Sequence, residues 1–207
     1  MKRLFVILFV LLTATRICVA VPIDTLFAGM PDCLLPLLNL DNRLDCLDLY
    51  NGKMNAEVTN LFGERSRLTV KTADYLRVEL SAASRMELKL LSMGNDTVIG
   101  RIHTVLTPAA DSRVEFFTTA WKPCGTVHVV PPKENDFWVR PDTVTEARFE
   151  ELRRAAGLAW VEAVFSSTGD TLTYSLSLDN VRSDWREEMR SCVRPVTYSW
   201  DGTKFVH

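Results

Sequence analysis

The sequence is poor in the residues from which recognisable active sites are most often built. Of 207 residues, only three are histidine, five cysteine and nine glycine. No glycine-rich phosphate loop, dinucleotide fingerprint, H-E-x-x-H pair or nucleophile elbow is present. An excess of one charge sign is also missing. Twenty-four basic residues face 26 acidic ones, a net charge of −2, so the basic footprint of a nucleic-acid-binding protein is excluded. At 47% hydrophobic and 24% charged residues, the composition excludes disordered and collagen-like classes. The length suits one domain that can bury a core without disulfide staples.

What is present begins at the N-terminus. Met1-Lys2-Arg3 is followed by nine apolar residues, Leu4 to Leu12, and then by Cys18-Val19-Ala20 with small residues at the last and third-last positions. This layout predicts a secretory signal peptide over residues 1–20. The apolar run falls short of the about 20 residues that a spanning helix needs, and no later run is longer, so no transmembrane segment is expected after cleavage. Ile17 before Cys18 argues against a lipidation site. Removing residues 1–20 takes three basic residues and no acid. The basic count falls from 24 to 21 against 26 acids, which leaves 187 residues at a net charge of −5.

Four cysteines remain in that mature chain: Cys33, Cys46, Cys124 and Cys192. Their spacing has no C-x-x-C pair. Cys33, Cys46 and Cys192 lie among apolar residues, which suits buried thiols. A disulfide between Cys33 and Cys46 is the main rival.

The mature chain reads as a single α+β domain over 21–207. Residues 22–63 read as helical, cut by Pro22, Pro31 and Pro36. The clearest helix starts at Asp41 as N-cap, with Leu40, Leu44 and Leu47 as its buried stripe. A second short helical piece runs from Ala56 to Leu61. Residues 68–120 turn to period two: Leu76, Val78 and Leu80, then Met86, Leu88 and Leu90 against Glu87 and Lys89. They predict an antiparallel meander with a central strand, Val98–Leu106, that is apolar on both faces. Residues 121–142 form an irregular, proline-rich loop. Over 143–207 come a helix opened by a capping box at Thr143 and Glu146 and closed at Gly157, a hairpin turning at Thr168-Gly169-Asp170, a helix with a stripe of Trp185, Met189 and Cys192, and a last hairpin turning at Asp201-Gly202. The order implies an antiparallel β-meander packed with short helices, an N-terminal helical segment and C-terminal helix–hairpin units.

Three constellations carry potential chemistry. Cys124 and His128 could pair only if the chain turned at Gly125, because four extended residues span about 13 Å. Asp41, Asp45 and Asp48 recur at helical spacing and are the candidates for a hard cation such as calcium. They lack an alternating oxygen-ligand loop, Asp41 is explained by capping, and Arg43 and Lys53 stand near as counter-charges. No metal and no cofactor is therefore expected. Phe117, Trp121, Phe137 and Trp138 flank the proline-rich loop and are the candidate ligand-binding residues.

Several blocks together resemble a known family. They are Ala28-Gly29-Met30-Pro31-Asp32-Cys33-Leu34-Leu35-Pro36, Asn42-Arg43-Leu44-Asp45, Met54-x-Ala56-Glu57-Val58-Thr59-Asn60-Leu61, Phe116-Phe117 with Trp121-Lys122-Pro123, and Tyr198-x-Trp200-Asp201-Gly202-x-x-Phe205. The chain is similar over nearly its whole mature length to a family of exported Bacteroidetes proteins known as a domain of unknown function. The resemblance implies export to the periplasm of a Gram-negative cell and brings no catalytic residues with it. Serine is usual in that family where Cys33 stands and methionine where Cys46 stands, which implies no family-wide thiol chemistry. The expectation is a non-enzymatic binding or accessory module of the cell envelope, its partner an unknown envelope protein or ligand and not a nucleic acid. The alternative is a periplasmic hydrolase with dispersed residues such as His103, Asp45 or Cys124.

Overall fold

The computed structural model describes residues 21–127 and 129–207; the expected leader, residues 1–20, and His128 lie outside the described residues. The fold is α+β, and the described residues form two antiparallel sheets and five α-helices.

The N-terminal segment forms α1 (Ile23–Ala28), one turn of 3₁₀ helix (Asp32–Leu34) and α2 (Leu40–Asn51). The N-cap of α2 is Asn39, whose side chain accepts from the Asn42 N–H at 2.9 Å, and not the expected Asp41. The buried face differs as well. Leu40 and Leu44 are exposed, while Arg43, Cys46 and Leu47 point inward. Arg43 sets that orientation. It is 3% exposed, and its guanidinium donates to Ala28 O, Leu38 O and Asp32 Oδ1 at 3.2, 2.7 and 2.9 Å. A buried guanidinium with three acceptors clamps the 28–38 loop beneath the helix.

The next element corrects a second expectation. Residues 56–61 are not helical but contain strand β1 (Glu57–Thr59). Ala56 and Val58 are buried and Thr59 is exposed, a period of two within a piece too short to separate the periods. Asn60 closes the turn that follows. Its side-chain oxygen accepts from the N–H groups of Phe62 and Glu64, and its amide donates to Leu80 O.

The meander is as expected: β2 (Arg65–Lys71), β3 (Tyr75–Ser81), β4 (Ser84–Met93), β5 (Asp96–Val105) and β6 (Asp111–Thr118) pair in sequence order with β1 at the far edge. β5 is covered on both faces. Ile99 packs beneath the N-terminal helices together with Leu76, Val78, Met86 and Leu88, and Val98 and Ile102 pack on the opposite side.

That opposite cover is the second sheet, of order β10-β9-β8-β7, built from β7 (Trp160–Phe165), β8 (Thr171–Ser177), β9 (Val196–Trp200) and β10 (Phe205–Val206). It lies over Arg77, Arg85, Glu87 and Lys89. The period-two pattern makes these residues look solvated, yet Glu87 and Lys89 are at most 1% exposed. Phe165 seats directly on Gly100, where a Cβ would lie 2.6 Å from the Phe165 ring. Helices α3 (Glu134–Phe137), α4 (Glu146–Ala156) and α5 (Ser183–Ser191) complete the chain. The N-cap of α4 is Thr145, which bonds Arg148 N, in place of the Thr143 of the expected box. Gly157 ends the helix at φ 69° as expected.

The sheets are joined along the free edge of β7. Its outward N–H groups at Val161, Ala163 and Phe165 donate to Asp111 Oδ1, Ser112 Oγ and Glu87 Oε2 at 3.2, 2.9 and 3.0 Å. Side chains of the first sheet thus stand in for a missing neighbour strand, which gives the buried Glu87 a structural task.

Candidate functional site

The expected aromatic groove does not assemble. Phe117 and Trp121 meet at 5.7 Å within the core under the N-terminal helices, with Trp121 Nε1 donating to Leu26 O. Phe137 is fully buried between the sheets, and Trp138 packs edge-on against Phe149 in a third cluster with α4 and α5. The four rings are thus divided among three cores, because the segment from β6 to α3 crosses from one core to the next. Phe117 alone reaches a surface groove of about 300 Å³, beside Pro123 and Cys124.

The other candidates are also dispersed. Asp41, Asp45 and Asp48 lie on the exposed face of α2, and among the described residues no three His, Cys, Asp or Glu side chains gather as metal ligands. His103 is half-buried, with its pKa lowered by burial and then by Arg101, against an opposing pull from Glu115. No hydrogen bond joins it to Asp45 or Cys124. His207 stacks edge-on against Tyr198. The four cysteines among the described residues are free thiols, and Cys33, expected to be buried, is exposed. The one-turn helix that carries Cys33 buries none of its residues. Burial pushes the Cys46 thiol up to about 11.

What the fold does gather is ionic. A cleft of about 670 Å³ opens where α1, the β2–β3 turn and the β7–β8 turn converge, lined by Asp24, Lys71, Thr72, Asp74, Ser92, Thr97 and Asp170 with an apolar wall of Val21, Pro22, Ile23 and Leu90. Beneath it, Lys89 Nζ donates to Asp74 Oδ2 at 2.6 Å and lies 3.3 Å from Asp170 Oδ1. Lys71 Nζ bonds both carboxylate oxygens of Asp24 at 2.8 Å, and the Lys71 N–H is fixed by Tyr50 Oη. Burial alone would raise the Asp74 pKa. Hydrogen bonds from Lys89 and Thr72 outweigh it and hold the carboxyl below its ordinary range.

Chemically, the cleft is a set of ionised, prepaired groups beside three hydroxyls. It offers hydrogen-bond donors and acceptors in fixed places. Glu87, whose pKa burial raises, is sealed between the sheets and committed to Arg77 and the Phe165 N–H. None of the cleft residues stands out in the sequence. Lys89 reads as a solvated strand position, and Gly169-Asp170 reads as a turn. Only the fold brings Asp74 and Asp170, from two different sheets, onto one ammonium.

Comparison with known proteins bears on the family and the fold. The family described as "Protein of unknown function (DUF3256)" matches residues 16–205. The solved structure of a domain of an uncharacterized protein from Porphyromonas gingivalis W83 superposes with a TM-score of 0.70 at 22% identity, covering 91% of this chain and 98% of that one. At that identity the likeness is one of fold. No curated protein matches the chain.

Proposed function

We propose, for a chain that belongs to the DUF3256 family of proteins of unknown function, that it is an exported periplasmic protein of the cell envelope and acts by binding, not by catalysis. The basic, apolar and small-residue order of residues 1–20 supports export. Among the described residues no helix is long and apolar enough to cross a membrane.

One observation carries the binding reading: two carboxylates contributed by separate sheets, Asp74 and Asp170, converge on the buried Lys89 at the base of an open cleft. Preorganised charges of both signs with neighbouring hydroxyls suit recognition of a polar, multiply hydrogen-bonding ligand. The same pairing leaves no group poised for acid–base work.

Two measurements test the reading. Cell fractionation with N-terminal mass analysis is expected to find the chain in the periplasm beginning at Val21; an intact Met1 in the cytoplasm overturns export. Native mass spectrometry of protein taken from its own envelope fraction is expected to show a bound adduct, reduced about tenfold in Asp170→Asn. Bare protein, or equal occupancy in wild type and variant, overturns the cleft assignment.

A further inference from the structure

The proline-rich stretch that stands out in the sequence plays no part in the cleft. Its residues Val129, Pro131 and Pro132 lie over the seam between β6 and β7, at the opposite end of the β7–β8 hairpin from Asp170. With Ser112, Val114, Val161 and Tyr174 they line a partly open pocket of about 140 Å³. Its roof is fixed in two ways. Prolines hold their own φ, and the Tyr198 hydroxyl donates to Val130 O at 3.1 Å.

The pocket contains one unanswered polar group. Tyr174 is 3% exposed, and among the described residues its hydroxyl has no hydrogen-bond partner. The neighbouring hydroxyl, Ser112 Oγ, is already engaged by Thr104 and by the Ala163 N–H at 2.8 and 2.9 Å. The rest of the lining is Val114, Val129, Val161, Pro131 and Pro132, and among the described residues no Asp, Glu, Lys, Arg or His side chain lines the pocket. Buried hydroxyls are ordinarily satisfied, and an apolar cavity of roughly 150 Å³ is large enough to take up a benzene ring.

We propose that this pocket is a second, separate binding site for a small uncharged ligand, an apolar ring bearing one hydrogen-bond acceptor such as a cyclic ketone, with Tyr174 Oη as the donor that recognises it. The rigid roof lowers the cost of ordering the site around its occupant.

Cyclohexanone and cyclohexene serve as probes, being alike in size but not in acceptor. Titration followed by methyl NMR of Val114, Val129 and Val161 is expected to give saturable shifts with the ketone bound at least fivefold more tightly. Tyr174→Phe, which removes one oxygen, is expected to reduce the ketone to the level of the hydrocarbon. Val129→Phe, on the loop and outside both sheets, is expected to abolish both by filling the space. The proposal is overturned by equal affinity for the two probes, by no saturable shift from either, by a ketone preference that survives in Tyr174→Phe, or by a crystal structure in which the ketone leaves an ordered water on Tyr174 Oη.

Discussion

The six-stranded sheet is covered on its two faces by different means. On one face the N-terminal helices and loops present carbonyl groups, and the chain answers with cations and an indole: Arg43 on Ala28 and Leu38, Arg101 on Leu34, Trp121 on Leu26. On the other face the edge strand β7 presents N–H groups, and the sheet answers with acceptors: Glu87, Asp111 and Ser112. The apolar contacts below are of one kind. The polarity of the fastening is set by which half of the peptide group each cover leaves unpaired.

That contrast can be broken from either side, and the sizes of the breaks should differ. Phe165→Ala removes the ring seated on Gly100 and packed against Phe205. It is expected to cost about 4 kcal/mol in urea unfolding and to raise hydrogen exchange through β7 and β8 more than in α2. Arg43→Met retains bulk but orphans the carbonyls of Ala28 and Leu38. A loss of about 3 kcal/mol is expected, with exchange increased in residues 23–38 and unchanged in β7.

Glu87→Gln keeps an acceptor for the Phe165 N–H but takes the charge away from Arg77 and Arg85. A loss of about 2 kcal/mol is expected, confined to the second sheet. Its pH dependence sharpens the comparison. Burial raises the Glu87 pKa above the ordinary glutamate value of 4.5 despite Arg77 and Arg85. The folded state therefore holds that proton more tightly than the unfolded state does, and wild-type stability from this group falls as pH rises from 4.5 through the raised value. The gap between wild type and Glu87→Gln should narrow over that range. Asp74 runs the other way: its carboxyl is held low by Lys89 and Thr72 against burial, so its contribution is present above 3.8 and fades as pH falls through the lowered value. Acid titration of wild type against Asp74→Asn should show this, and it is the smallest of these effects because the group is 46% exposed.

The period-two run of the meander, the Asp201-Gly202 hairpin and the Trp185–Met189–Cys192 stripe could all be read from local pattern, because turn chemistry and side-chain period act within a few residues. The buried face of α2 could not. Leu40 and Leu44 outrank Arg43 in hydropathy, and only the carbonyls of the 28–38 loop reverse that order. Glu87 and Lys89 were illegible for a related reason. Alternation tells which side chains share a face of a strand, but not whether a sheet 80 residues downstream will cover that face. The blocks that carry the family resemblance turn out to be fastenings: Arg43 to Asp32, and Trp200 Nε1 to Ser92 O at 2.7 Å. The cleft residues lie outside those blocks.

The capped edge of β7 has a consequence for the molecule in company. A strand with unanswered N–H groups is a template on which another chain can add. Here β7 is answered by side chains, the outer edge of β6 by Pro123 and Cys124, the Thr59 carbonyl of β1 by Asn42, and β10 is two residues long. A chain of this fold can be crowded to high concentration and still offer its neighbours little backbone to grow on.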